Sequence, residues 1–188
     1  TPELGEEIVR SFLPRVFRRN VPEERIKTVL AQLKGKEGEA LVSALKFELK
    51  AFLISPEFLY RGFLAKPDGK PGRQPVDAFE LAERLSYFLW EDMPDEELFA
   101  SARKGTLQDR EEIGRQVARM LADPQARNLS ESFGVQLLGL SVLDDQIKNN
   151  PIHLHAMRTQ PRDFLHYLFT EDRPVMELLD SNVTFVNQ

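Results

Sequence analysis

The sequence predicts an all-α fold of about nine or ten short helices in an irregular multi-helix bundle. Apolar residues recur every three or four positions nearly from end to end. Helix-capping residues precede many of these stretches, and glycine or proline follows them. Alternation typical of a strand is confined to the four residues from Val183 to Val186. No internal repeat of fixed period is present, so a solenoid is not predicted.

Four helices are predicted in the first third of the chain. The first runs from about 3 to 18, and apolar residues four positions apart predict its core stripe: Leu4, Ile8, Phe12 and Val16. A second helix starts at Pro22 and ends at Gly35, and a third covers about 38–54. Ser55 is expected to cap a short fourth helix that begins with proline.

The strongest loop signal lies at 65–75, where three prolines and two glycines occur within one segment. We therefore predict a small helical domain at 1–64, a connector at 65–75 and a larger helical domain at 76–188. The two domains could form two packed lobes or share one core, and the sequence leaves both arrangements open.

The helix after the connector begins with a clear signal, because Asp77 and Glu80 have the spacing of a capping box. Its predicted core stripe is Phe79, Ala82, Leu85, Phe88 and Leu89. A further helix follows Pro94 and ends at Gly105. Similar start signals predict three more helices, beginning near Asp109, Asp123 and Asn150. We expect Pro161 to kink or split the last of these three, and a short helical turn to follow near the C-terminus.

Composition excludes several classes of function. The chain has 188 residues, of which 41% are hydrophobic and 29% charged, as in globular domains. Its net charge of −5 argues against a general nucleic-acid binder, and no apolar run reaches the ~18 residues of a membrane span. The absence of cysteine excludes disulfides, thiolate zinc sites and covalent haem attachment within these residues. The first and last residues lack an initiator, a signal peptide or a stop pattern, and we interpret the chain as a piece of a longer protein.

An acidic cluster follows the aromatic end of the predicted fifth helix: Glu91, Asp92, Asp95, Glu96 and Glu97. Paired carboxylates could serve acid–base chemistry or bind a hard cation. The more common role of acids before a helix is to complement its dipole, and the spacing lacks the pattern of a calcium loop. The chain contains no recognisable catalytic motif, and we predict no catalytic residue in it.

Three further patterns have structural and functional interpretations. His153 and His155 are weak candidates for metal ligands, because residues two apart share a face only in extended chain; we expect no metal site. An arginine stripe near the start pairs with nearby glutamates or docks an acidic partner: Arg10, Arg15, Arg18, Arg19 and Arg25. The 13 phenylalanines fall mostly on helical stripes and are assigned to the core, with an aromatic ligand groove as the alternative.

Several ordered motifs resemble one bacterial family. They are "SPEFLYR" at 55–61, "LAERLSYFLW" at 81–90, "MPDEEL" at 93–98 and "PVMELLDSNVTFVN" at 174–187. The chain resembles planctomycete-type multidomain proteins, which join helical domains of unknown function to c-type cytochrome domains. The resemblance implies haem c in other domains and none in this chain. It also implies an extracytoplasmic location, either periplasmic or at the cell surface, and it assigns no catalytic residue.

The charged and aromatic residues of these motifs are the binding candidates: Arg61, Arg84, Trp90, Asp92 and Asp95. An arginine that pairs with Asp92 or Asp95 would hold two helices in register. The leading hypothesis is a non-catalytic scaffold or interaction module, linked to electron transfer, whose partners are neighbouring domains or another protein. One alternative is part of a redox or hydrolytic enzyme that uses 91–97. Another is a polymer-binding module in which Trp90, Tyr60 and Tyr87 form the stacking platform.

Overall fold

The computed structural model describes residues 1–60, 76–143 and 151–186, with side chains from 154 onward in the last range. Within these ranges the fold is all-α, as predicted, and residues 183–186 form no strand. The described residues form nine α-helices: α1 (Pro2–Phe17), α2 (Glu23–Leu33), α3 (Gly38–Leu53), α4 (Pro56–Leu59), α5 (Ala78–Leu89), α6 (Glu96–Lys104), α7 (Arg110–Ala122), α8 (Arg127–Leu137) and α9 (Pro151–Thr170). Short 3-10 turns lie at Thr106–Gln108, Pro124–Ala126, Leu140–Val142 and Val175–Leu178.

Local capping chemistry determines several helix ends. The Asp77 carboxylate accepts a hydrogen bond from the Glu80 N–H at 2.8 Å, and Asp95 accepts one from the Leu98 N–H at 2.9 Å. Gly105 ends α6 with a left-handed φ of 72°, which glycine adopts without strain. Ser55 is an exception to the prediction: its hydroxyl donates to the Phe52 carbonyl at 2.7 Å and does not cap α4. It therefore completes the end of α3 instead.

Contacts among the residues divide the chain into two compact units. The first unit contains Thr1–Arg84 and Met93–Asp109, and the second contains Leu85–Asp92 and Arg110–Gln188. Helix α5 thus supplies residues to both units. The predicted connector at 65–75 lies outside the described residues, and the domain boundaries drawn from it stay a prediction.

The core of the first unit is formed by α1, α2 and α3. Its buried residues are Val9, Leu13, Val16, Phe17, Ile26, Val29, Leu33 and Leu41. The predicted stripe of α1 is wrong in part: Val16 is buried and Phe12 packs against the core, but the rest of the buried face passes through Gly5, Val9 and Leu13, and Leu4 is 53% exposed. Adjacent apolar pairs at 8–9 and 12–13 make either register compatible with the sequence. The packing of α2 and α3 against α1 selects the observed one.

The predicted stripe of α5 is also wrong in part. Ala82 and Leu89 are buried as expected, but Phe88 is 56% exposed. Glu80 and Glu83 are buried although they are acidic. Their burial is possible because arginine side chains lie within ion-pair distance of both carboxylates.

The second unit is built around the contact between α8 and α9. Its buried residues include Leu89, Trp90, Met120, Leu129, Leu165 and Leu168. Helix α9 continues through Pro161, so this proline does not split it. Gly134 of α8 faces Leu165 of α9 so closely that a Cβ atom added at Gly134 would lie 2.5 Å from the Leu165 Cδ1. The glycine therefore sets how closely the two helices approach.

Candidate functional site

The binding candidates from the sequence do not gather in one compact unit. Arg84 and Asp95 belong to the first unit, whereas Trp90 and Asp92 belong to the second. Arg61 lies outside the described residues, so its predicted role is not described.

Arg84 and Asp95 both act within local helical structure. The Arg84 guanidinium binds Glu80 one turn earlier on α5, with Nε and Nη2 at 3.1 and 2.5 Å from the Oε1 atom. Arg84 thus forms an ion pair with Glu80 of its own helix. Asp95 is the N-cap of α6, which is the role that acids before a helix most often have.

Trp90 lies inside the second unit. Only 2% of its surface is exposed, and its indole N–H donates to the Met120 carbonyl at 2.8 Å. Its own carbonyl accepts a hydrogen bond from the Asn128 amide at 2.6 Å, and the Arg119 guanidinium lies 5.4 Å from the ring centroid. Trp90 therefore connects the end of α5 to α7 and α8. A buried ring offers no face to an external polymer, so the stacking platform loses its largest member.

The turn after Trp90 contains the first two residues of the acidic cluster. Glu91 has a left-handed φ of 57°, and the Asp92 carbonyl accepts a hydrogen bond from the Ser86 hydroxyl.

No group of three or more histidine, aspartate or glutamate residues in the described part of the chain is arranged to hold a metal ion. His155 is exposed, and its Nε2 atom lies 3.4 Å from the Thr159 hydroxyl. The His153 side chain lies outside the described residues.

The arginine stripe near the start forms ion pairs in the structure. Arg10 binds Glu6 at 2.7 Å and Glu23 at 2.8 Å, as its predicted pairing with nearby glutamates requires. Other members reach acids far along the chain: Arg19 pairs with Asp77 at 3.2 Å, and Arg25 with Glu57 at 3.4 Å. The stripe therefore contributes to the cohesion of the first unit.

Arg18 holds the most buried position in this stripe. Only 3% of Arg18 and 4% of Glu83 is exposed, and the Arg18 Nε atom lies 3.3 Å from the Glu83 Oε1 atom. The Arg18 Nη2 group also donates to the carbonyls of Glu57 and Phe58, at 3.0 and 3.1 Å. Arg18 is the C-cap of α1 and has a left-handed φ of 52°. One guanidinium thus joins the end of α1 to α4 and α5.

A second charged cluster joins α8 and α9. Arg127 pairs with Glu131 at 3.3 Å and with Asp163, and Arg162 also pairs with Glu131. His166 lies near these groups, and its Nδ1 atom is buried without a hydrogen-bond partner among the described residues. Burial lowers the pKa of His166 below its ordinary value of 6.5, and the nearby Arg127 charge lowers it further.

This shift gives a pH-dependent contribution to stability. Because the pKa of His166 is lower in the folded chain, the unfolded chain binds the proton first as the pH falls through about 6.5. We expect the free energy of unfolding to decrease below this pH, and His166→Gln to remove that part of the decrease. Chemical denaturation between pH 8 and about 5.5 would measure it. Parallel profiles for the two proteins would contradict the assignment to His166.

Comparisons with known proteins identify families without an assigned function. The family model described as PSD4, protein of unknown function (DUF1592), matches residues 76–188. The model described as PSD5, protein of unknown function (DUF1595), matches residues 5–62. No curated protein and no solved structure matches the chain. None of the helices in the described ranges is long and apolar enough to span a lipid bilayer. Because the first model covers more than half of its residues, the chain belongs to the PSD4 family of proteins of unknown function (DUF1592).

Proposed function

We propose that the chain is a non-catalytic helical scaffold or interaction module within a larger extracytoplasmic protein. Haem c groups in other domains of that protein would carry electrons, and this module would position those domains or their partners. The observation that supports the proposal is that charged side chains bind other groups of the same fold. Arg18 and Glu83 form a buried ion pair, Asp95 caps α6, and Arg84 binds its own helix.

Exposed apolar side chains support an interaction role for the first unit. Phe47 within α3 and Ile54 just after that helix are 70% and 74% exposed. Leu59 and Tyr60, at the end of α4, are 59% and 64% exposed. Contiguous apolar surface is typical of protein contacts. These four side chains are the apolar surface that we assign to a neighbouring domain or a protein partner.

The proposal assigns the haem to other domains, because the chain contains no cysteine for covalent attachment. We expect the full-length gene product to stain for covalent haem after denaturing electrophoresis and to show the absorbance bands of a reduced c-type cytochrome. The chain of 188 residues, produced alone in the same host, is the matched control and should show neither signal. A full-length product without covalent haem would refute the cytochrome context.

Location can be tested with the same gene product. Fractionation of the native host should recover the protein outside the cytoplasmic fraction, together with its haem. Recovery with cytoplasmic marker enzymes would contradict the extracytoplasmic assignment.

Deletion of residues 1–188 from the full-length protein should leave haem attachment intact but slow electron transfer between the remaining domains. An unchanged transfer rate would argue against a positioning role.

A further inference from the structure

An apolar cleft with a volume of about 330 Å³ lies in the second unit. Three buried leucines from α5, α8 and α9 line its interior: Leu89, Leu129 and Leu168. Phenylalanines from the same three helices complete much of the lining: Phe88, Phe133 and Phe169. Ligand sites in proteins are typically concave, mostly apolar and at least about 300 Å³ in volume. The cleft meets these criteria at the lower end of the size range.

The phenylalanines form a connected series of rings along the cleft. The centroids of Phe88 and Phe133 are 6.1 Å apart in an edge-on arrangement, and those of Phe133 and Phe169 are 6.3 Å apart. Phe88 is 56% exposed and Phe133 is 41% exposed, although both contact other rings. Aromatic surface left in water at a concave position is recovered when a flat apolar molecule covers it. The series therefore favours an aromatic ligand.

Charges near the cleft disfavour an anion. Arg173 lines the cleft, but its guanidinium binds the Glu177 carboxylate through two bonds of 2.7 and 3.2 Å. An anionic ligand would have to displace Glu177 from this pair. Asp172, which also lines the cleft, adds a further negative charge. A neutral ligand meets neither obstacle.

We propose that this cleft binds a neutral, flat aromatic molecule of about two or three rings. The size follows from the volume, because a dry apolar cavity of about 150 Å³ already holds one benzene ring. Phe88, Phe133 and Phe169 would contact the rings, and the buried leucines would exclude water beneath them. Aromatic binding in this cleft is independent of the scaffold role, because a positioning module neither requires nor excludes such a ligand.

The test uses the 188-residue chain and the neutral fluorophore N-phenyl-1-naphthylamine. We expect saturable binding at one site, seen as an increase in fluorescence. Phe88→Ala should weaken binding at least tenfold. The matched control is Phe47→Ala, which removes a phenylalanine that is 70% exposed but belongs to the first unit, and it should leave binding unchanged. The anionic analogue 1-anilinonaphthalene-8-sulfonate should bind at least tenfold more weakly than the neutral probe.

Several results would overturn the proposal. Binding that is absent, non-saturable or equal in Phe88→Ala and the wild type would show that the cleft is not the site. A loss in Phe47→Ala as large as that in Phe88→Ala would place the probe on general apolar surface. Tighter binding of the sulfonate would overturn the selectivity for neutral ligands. If Phe88→Ala loses its helical circular dichroism, Phe133→Leu, which keeps apolar bulk and removes the ring, replaces it with the same expected loss.

Discussion

Arg18→Ala is expected to lower the free energy of unfolding by about 3–5 kcal/mol, because it removes the cation that faces a buried carboxylate. The Arg18 Nε atom lies 3.3 Å from Glu83, and both side chains are almost fully buried. The substitution also removes two hydrogen bonds to the last carbonyls of α4. Urea denaturation followed by circular dichroism would measure the loss.

A matched surface pair provides the control for this experiment. Arg10 pairs with Glu23 through two hydrogen bonds, but its side chain is 41% exposed and that of Glu23 is 51% exposed. Water and salt screen such a pair, so Arg10→Ala should have a much smaller effect than Arg18→Ala. Equal effects of the two substitutions would show that burial does not set the strength of the Arg18 pair.

Substitutions at the partner residue, Glu83, separate the contributions of the two side chains to the free energy of unfolding. Glu83→Gln keeps the shape of the side chain but leaves the Arg18 guanidinium without its opposing charge, so it should also be strongly destabilising. Replacing both residues by apolar ones, as in Arg18→Met with Glu83→Leu, should recover part of the loss. Losses that simply add in the double variant would indicate that the two side chains act independently.

The predictable part of the fold rests on signals contained within a few residues. Asp77, Asp95 and Gly105 mark helix ends through their own hydrogen bonds or backbone angles. Such signals depend on local chemistry, and they are present in the sequence before the chain folds. For this reason the all-α class and the helix boundaries near these positions could be predicted.

The unpredicted features depend on residues far apart in the sequence. Glu83 is buried because Arg18, which precedes it by 65 positions, reaches it from another helix. The sequence does contain one indication that Glu83 is buried, since it shares a helical face with Ser86 and Trp90, both of which are buried. Acidic residues are rarely buried without a partner, and the sequence does not identify the partner. The burial of Glu83 therefore could not be predicted from the sequence.

The candidate site was predictable only in its residue types. Trp90 is a binding candidate from the sequence, but in the structure it is buried and forms hydrogen bonds with Met120 and Asn128 on later helices. The cleft depends on phenylalanines from three helices, and Phe88 was assigned to the core although more than half of its surface is exposed. Helical spacing identifies which residues share a face. It does not show where neighbouring helices leave that face open.

Gly134→Ala should lower the free energy of unfolding by about 1–3 kcal/mol, which is the cost of adding a methyl group to a tightly packed contact. The added Cβ would lie 2.5 Å from the Leu165 Cδ1 atom, and Leu165 is completely buried, so its side chain can move only by displacing its neighbours. The effect opposes the normal preference of helices for alanine over glycine.

Gly114 of α7 is the matched control, because no described atom outside its own stretch of helix lies within 4 Å of a Cβ built there. Gly114→Ala should raise the free energy of unfolding by about 0.5–1 kcal/mol through helix propensity alone. Opposite signs for the same substitution in two helices would isolate the α8–α9 contact as the cause. In a double-mutant cycle, Leu165→Ala should cost less in the Gly134→Ala background than in the wild type, because it relieves the overlap. A Gly134→Ala protein at least as stable as the wild type would mean that the Leu165 side chain moves aside without loss of stability. Helix propensity, and not the interhelical contact, would then determine the effect of alanine at this position.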